Sequence, residues 1–535
     1  MREEGEGKRT ALVLALPAIL IAIAILLPFL KGAYRIDDPY FLLLARHARA
    51  EPLDPQNFNM CWFSYSSYAC GPASQMAPGA VLMGYFLLPV TWLGYNEAVV
   101  HLMQLVLLCL AIWVTVALAL DLSLSDQQAR LAGLLVATMP IVVWSANTAL
   151  PDLLAMTLGV YGIERLVRWI QRPTIVTGMC AAIALGLAPF ARAHLFMLLG
   201  VGALAVVHLA RRNKLHYKLR GFGPVLGALV IFGMVTVLTR HSGANGMLPP
   251  SNNLGLVYVI PNLIAFGLYC VFPFPIALAW TVVKRPFTFR RSLLVIVVSA
   301  GILWDLLVNS PAHLLLAFLG VLGCICMAQI VLAARRSRQW KILVLSIWLL
   351  IPLAALPYRQ LPLKYLLASA PAVAILIPLW LQKERGRVRN SVLLASIAGG
   401  LTLSILILRA DTRFAELPRE AAAELIAPRV NRGKTVWFTG EWGLYWYAQL
   451  AGARVLIPDV SKPRAGDVIV IGDVESQNGV IEKFPRRALI EERTFSWTGG
   501  RVMSQKGAAG LYWTGKLPWS WGSGKVNRYQ VWRVE

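Results

Sequence analysis

Long uninterrupted apolar runs leave this chain of 535 residues few choices. A helix needs about 20 apolar residues to cross a bilayer, and within hydrocarbon each backbone amide must be paired inside its own helix or a closed barrel. Measured against that length, the sequence predicts about thirteen transmembrane helices. They fall at residues 10–30, 96–120, 128–146, 151–169, 174–190, 193–210, 221–239, 254–282, 292–309, 311–334, 341–357, 362–381 and 391–409.

Charge follows the same division. Only 15% of the residues are charged and 57% are hydrophobic, where soluble domains carry roughly 25% charge. The formal net charge of +24 would suit a nucleic-acid binder. Its distribution excludes that partner, because the cations fall in short clusters between runs, as they do in cytoplasmic loops. Arg165/Arg168/Arg172, Arg211–Arg220, Lys284–Arg291, Arg335–Lys341 and Lys383–Arg389 occupy alternate loops. With Met1–Thr10 inside, every strongly basic loop is inside and the C-terminus is outside. A further span at Ala77–Leu93 would invert the later loops, so that segment reads as an interfacial or re-entrant helix. No small-residue cleavage site follows the first run, which reads as a retained anchor. The expected division is a transmembrane module over 1–409, with interfacial helices in the outer loop 31–95, and a soluble domain over 410–535.

That C-terminal stretch carries both signs of charge, no span and eight of the eighteen tryptophans. Thr435–Thr439, Arg454–Ile457 and Asp467–Ile471 read as strands and Trp442–Ala451 as a helix stopped by Gly452, a small α/β pattern. The Gly440-Glu441-Trp442-Gly443 turn lacks the spacing of a phosphate-binding loop. Cys109, Cys180, Cys270, Cys324 and Cys326 lie in spans and read as packing residues. Cys61 and Cys70 share the first outer loop, where an oxidising compartment permits but does not dictate a disulfide. There is no CxxC or Cys/His cluster, so neither metal nor cofactor is expected.

Chemistry concentrates on the outer side. Tyr34-Arg35-Ile36-Asp37-Asp38-Pro39-Tyr40 places two adjacent carboxylates at the mouth of the first span, ahead of an amphipathic segment, Phe41–Ala50. Helix capping would explain the pair about as well, since Asp-Pro commonly opens a helix. Asp152 stands in the first turn of the fourth span, where a carboxylate also suits the helix dipole. Arg192 sits in an outer turn against the positive-inside bias, and Tyr358, Arg359, Lys364 and Tyr365 crowd a later one. Arg240 and His241 read as a mobile loop. Asp305 lies within a span, where an ionisable group is a functional hypothesis by default. Carboxylates that can take a proton beside cations that can hold a phosphate suit an enzyme of lipid-linked phosphates.

The sequence resembles the protein O-mannosyltransferase-like family of GT-C glycosyltransferases, which includes bacterial aminoarabinose transferases. The resemblance rests on Asp37-Asp38 with Tyr40 directly after the first span, on Met76-Ala77-Pro78-Gly79-Ala80 leading to Tyr85, on Pro151-Asp152-Leu153-Leu154, and on Lys364-Tyr365-Leu366-Leu367 with Pro371. Departures are Ala77 where the family has a first proline, Lys364 where arginine is commoner, and Asp38 where glutamate is common. The resemblance implies inverting transfer of a sugar from a polyprenyl-phosphate donor to a lipid, glycan or protein acceptor at the outer face of the inner membrane. The N-terminus would be cytoplasmic and the C-terminal domain periplasmic. It implies an Asp general base, Asp37 with Asp38 as second candidate. Arg192, Arg359 and Lys364 would steady the leaving phosphate, with Asp152, Tyr358 and Tyr365 lining the substrate site.

Three rivals share parts of this pattern. A transporter or flippase for lipid-linked sugars would place charges near the midplane, often on broken helices, and the spans are nearly charge-free there. A polymerase or ligase would lack the acidic pair directly after the first span. A scaffold would leave Asp37 dispensable.

Overall fold

The computed structural model describes residues 2–61, 70–76, 80–210, 215–239, 254–259, 261–263, 265–266, 340–359, 361–382, 385–457, 460–476, 481–484, 486–503, 510–513 and 517–535. The expected spans at 292–309 and 311–334, most of 254–282, and Arg240, His241, Asp305, Cys270, Cys324, Cys326, Trp62, Tyr65, Tyr68 and Ala77–Gly79 lie outside them.

The main helices are α1 (Arg2–Leu26), α2 (Asp38–Ala50), α3 (Glu97–Asp121), α4 (Asp126–Thr138), α5 (Asp152–Gln171), α6 (Ile175–Ala191), α7 (Met197–Ala210), α8 (Leu215–Leu238), α9 (Trp340–Leu349), α10 (Ala370–Leu381), α11 (Gly386–Ala421) and α12 (Trp442–Leu450). Among the described residues, four stretches are long and apolar enough to cross a membrane by length and composition: Thr10–Phe29, Glu97–Asp121, Gly221–Leu238 and Gly386–Asn431. Several expected spans are interrupted. The run at 128–146 stops at Thr138 and restarts as a short helix, Pro140–Ser145. Proline has no N–H to continue the ladder and suits the first position of a new helix. The same residue type opens the 3-10 turn Ile351–Ala355 after α9, and the 362–381 run begins as another such turn, Leu363–Ser369. Among the described residues of Ala77–Leu93 the helices are the short Val81–Phe86 and Leu88–Trp92, neither able to span.

α11 is the organising element. Its 36 residues extend about 54 Å at 1.5 Å per residue, well beyond the hydrocarbon thickness of about 30 Å. The composition shift at Arg409 therefore falls inside one continuous helix, which carries Asp411, Thr412, Glu416 and Arg419 past it. Midway along, Gly400 lets α11 press on the α4 break: a Cβ there would lie 2.6 Å from the Thr138 carbonyl oxygen. Ser404 Oγ donates to that same carbonyl at 3.2 Å. Backbone oxygen cannot swing aside, so Gly400→Ala should destabilise by about 1–3 kcal/mol, read as a lower thermal midpoint in detergent.

In the first outer loop, α2 buries Phe41, Leu42, Leu44, Ala45 and Ala48, the stripe its amphipathic spacing predicts. The strands β1 (Asn59–Cys61) and β2 (Cys70–Pro72) form a hairpin in which Cys61 and Cys70 pair as a disulfide. Beyond α11 lie β3 (Val436–Thr439), β4 (Arg454–Val455), β5 (Val468–Gly472), β6 (Arg487–Ser496), β7 (Gly499–Arg501), β8 (Ser520–Gly522) and β9 (Lys525–Val534). One five-stranded sheet runs β4-β3-β5-β9-β6, with β3 parallel to β4 and β5 and with β9 antiparallel to both its neighbours. α12 follows β3 at the edge that meets the outer loop. Gly443 permits that meeting, since a Cβ there would lie 3.2 Å from the Tyr34 carbonyl oxygen.

Candidate active site

The outer loop is pinned by Arg35. Its side chain is almost wholly buried and pairs through Nε with Asp411 of α11, through Nη2 with Thr412 Oγ1 at 2.9 Å, and through Nη1 with the Asn147 carbonyl. Trp144 Nε1, at 2.9 Å, and Tyr512 Oη, at 3.3 Å, also donate to Asp411. Four segments far apart in sequence, at 35, 144–147, 411–412 and 512, thus converge on one buried pair. Tyr34 adds a second fastening: its N–H donates to Tyr447 Oη of α12 at 2.8 Å, and that hydroxyl donates to Glu97 at 3.0 Å.

The adjacent carboxylates have different fates. Asp38, the first residue of α2, is fully buried. Its Oδ2 accepts from the Arg35 N–H at 2.9 Å and its Oδ1 from the Ala149 N–H at 2.7 Å. Both oxygens are spent, Oδ2 closing a local turn of the outer loop and Oδ1 joining that loop to the 147–151 turn. Burial pushes this carboxyl up to about 7, against the pull of the Arg35 charge and the two N–H groups. Asp37 stands at the N-cap of α2 yet makes no capping bond with its side chain. It is 34% exposed, and Lys364 Nζ donates to its Oδ2 at 2.8 Å. Of the two, only Asp37 keeps an oxygen open to a substrate.

Lys364 arrives on the 3-10 turn ahead of α10, where the Leu363 N–H donates to the Gly510 carbonyl at 2.8 Å. The ammonium also lies over the Tyr512 ring, 5.5 Å from its centre, an attraction between cation and π face. Beside it, Arg192 at the end of α6 makes a two-pronged pair with Asp152, Nε to Oδ1 at 2.9 Å and Nη2 to Oδ2 at 2.5 Å. Such a fork fixes direction as well as charge. Asp152 therefore orients Arg192, and both of its own oxygens are engaged in doing so. The guanidinium lies over Tyr365, 5.3 Å from the ring centre. Tyr358 stacks on Tyr365 at 6.4 Å, and His194 tilts against the same ring at 5.4 Å. Arg359 is exposed at the rim.

The Asp37 charge is felt across this group, at Glu441 and, behind the larger effects of Asp152 and Asp411, at Arg192, Tyr365 and Tyr512. Asp37, Asp152, Arg192, Tyr358, Lys364 and Tyr365, chosen from separate loops of the sequence, are brought together. Asp38 is turned inward, and Arg359 reaches the group only at its exposed rim, where its charge acts on Tyr358. Asp411, Tyr512, His194 and Glu441 are additions. For Asp411 the sequence offered one signal, a carboxylate just past an apolar run. Tyr512 and Glu441 come from the C-terminal stretch, where nothing in the sequence announces contact with the membrane module. The site joins a half-exposed carboxylate that can take a proton to two cations that can bind an anion.

No protein-family model matches the chain, and no curated protein does. Among solved structures it is similar to ArnT from Cupriavidus metallidurans bound to undecaprenyl phosphate, at 13% identity and a TM-score of 0.44, covering 89% of this chain and 96% of that one. It is similar to the Archaeoglobus fulgidus oligosaccharyltransferase tethered with an acceptor peptide, at 13% identity and a TM-score of 0.43, covering 84% of this chain and 64% of that one. The arabinofuranosyltransferase AftD from Mycobacteria is similar at 13% identity and a TM-score of 0.44, covering 98% of this chain and 41% of that one. The chain thus spans under two thirds of the length of the oligosaccharyltransferase. These structure neighbours are GT-C glycosyltransferases, the class that the sequence resembles.

Proposed function

We propose that the protein is an integral-membrane glycosyltransferase, moving a sugar from a polyprenyl-phosphate donor to an acceptor at the outer face of the membrane. The observation that carries this reading is Asp37: uncommitted to its helix, partly exposed, 2.8 Å from Lys364 Nζ and beside Arg192. In the reaction an acceptor hydroxyl attacks the anomeric carbon from the face opposite the phosphate. A bond forms between that carbon and the acceptor oxygen, and the bond to the phosphate oxygen breaks with its electron pair. The hydroxyl proton goes to Asp37 as general base, and the configuration at the sugar inverts. Lys364 and Arg192 stabilise the charge that gathers on the leaving phosphate. Asp38 and Arg35 hold the loop, and Asp152 aims Arg192. Tyr358 and Tyr365 form an aromatic wall suited to a sugar face, with Arg359 at its rim.

The site's position at the end of α1, beside the start of α10, suits a donor whose lipid tail stays in the bilayer. The reading places the N-terminus in the cytoplasm, the sheet domain in the periplasm and the chain in the inner membrane. Its test is the full-length protein in liposomes with polyprenyl-phosphate sugars and envelope lipids, glycans or proteins as acceptors. The expected result is an inverted glycoside formed with one polyprenyl phosphate released per sugar. Movement of intact donor across the bilayer without phosphate release would replace the enzyme by a flippase.

A further inference from the structure

Two carboxyls occupy equivalent places in this molecule, and neither does what that place ordinarily asks. Asp37 precedes α2 and Glu441 precedes α12, positions from which an acidic side chain usually bonds a free backbone N–H of the first turn. Neither makes that bond. α2 and α12 pack against each other, and the Asp37 charge acts directly on Glu441.

Glu441 is held there against its own interest. Its Oε2 is enclosed and has no hydrogen-bond partner, an unfavourable state for a buried acceptor. The backbone around it is forced: Gly440 has φ 150° and Trp442 φ 63°, the latter in a region that side chains with a Cβ avoid. The Glu441 N–H is tied to the Glu475 carbonyl at 3.2 Å. The Glu475 side chain offers no relief, because its oxygens accept from Asn527 at 2.9 Å and Tyr529 at 2.6 Å. Lys364 is engaged on Asp37. An enclosed carboxyl oxygen with no partner among the described residues points to a ligand that supplies one.

We propose that Glu441 is the acceptor-orienting residue of this active site, its carboxyl donating an O–H to an acceptor oxygen next to the hydroxyl that Asp37 deprotonates. This rests on the glycosyltransferase reading and narrows it, because the acceptor must carry neighbouring oxygens, as a glycan does. A neutral acid suits the place better than a carboxylate, which would add a second negative charge beside Asp37 and the departing phosphate. The surroundings agree. Burial, then the negative charges of Asp37 and Glu475, push Glu441 up to about 9, so it carries its proton at neutral pH and loses it as pH rises through that value.

The test uses the full-length protein in liposomes, a polyprenyl-phosphate sugar as donor, and methyl hexosides with their single-deoxy counterparts as acceptor probes. Glu441→Ala should raise the acceptor KM about tenfold or more and leave the donor KM in place. Glu441→Gln, which keeps a donor N–H, should recover part of that loss and should lack the weakening of acceptor binding that wild type shows as pH rises through about 9. An unchanged acceptor KM in Glu441→Ala overturns the proposal. Infrared difference spectra test it independently of any transfer. A protonated-carboxyl component titrating at about 9, above that of Asp38 at about 7, should be present in wild type, be lost in Glu441→Gln and titrate at lower pH in Asp37→Asn. If wild type transfers nothing, the glycosyltransferase reading fails by itself, and a missing band would still overturn the assignment of Glu441 as a donor.

Discussion

Asp37→Asn is expected to lower the turnover of sugar transfer by about 10²- to 10⁴-fold, with the protein inserted and folded as wild type. The amide has the shape of the carboxylate and can still accept from Lys364, but it cannot take the acceptor's proton. At 1.36 kcal/mol per tenfold, the loss is about 3–5 kcal/mol of transition-state stabilisation. Nothing comparable is asked of the fold, because the Asp37 side chain caps no helix and the Lys364 ammonium keeps its place over Tyr512. Asp38→Asn is the matched contrast. Each of its two oxygens accepts a backbone N–H, and an amide offers only one oxygen for the two donors. That variant should lower the yield of folded protein while the folded fraction retains activity per molecule. Initial rates at saturating donor, normalised to folded protein, separate the two. Full turnover in a well-folded Asp37→Asn would remove the general base from the mechanism.

The acidic pair was legible in the sequence because two charges at the edge of an apolar run are conspicuous. Its division of labour was not. Adjacent residues of one type look alike until the backbone decides that Asp38 faces Arg35 and Ala149 while Asp37 faces Lys364. Arg192 stood out as a cation on the wrong side for its charge. Its fork to Asp152, forty positions away, is a tertiary fact that helix-dipole reasoning replaced with a local explanation. Arg359 met the same criteria of side and charge and lies exposed at the rim beside Tyr358, so shared sidedness does not tell a buried cation from a rim one. Hydropathy located apolar runs but was blind to Pro140 and Pro352, which interrupt the helices within them. In the C-terminal stretch, β3 and β5 were readable from their apolar residues. β6 and its pairing with β9 were not, since β6 is largely exposed and carries Glu491, Glu492 and Arg493. Dividing the chain at 409 also hid the most consequential contact. α11 runs through that point, and the Asp411 it carries meets Arg35 and Tyr512.

Arg35→Met is therefore expected to be the most damaging single change to stability, by about 3–5 kcal/mol, the usual result of removing one partner from a buried ion pair. Arg35 and Asp411 are each 1% exposed, so water cannot replace the lost charge. Trp144 and Tyr512 would still donate to the Asp411 carboxylate, but neither supplies a positive charge. Thr412 and the Asn147 carbonyl would lose their partner as well. The double variant Arg35→Met/Asp411→Leu distinguishes a charge effect from a shape effect. If an unpaired buried carboxylate is what destabilises the single variant, removing it should restore much of the loss, since buried pairs exchanged for packed apolar groups are often neutral. Thermal midpoints in detergent for wild type, both single variants and the double complete the cycle. Additive losses would mean that the two side chains act independently and that the clamp is not what fixes the loop. Activity gives the complementary reading. Loss of Arg35 should reduce transfer in step with the folded fraction, because Arg35 supports the fold through Asp411, Thr412 and the Asn147 carbonyl, whereas loss of Asp37 should reduce transfer with the folded fraction intact.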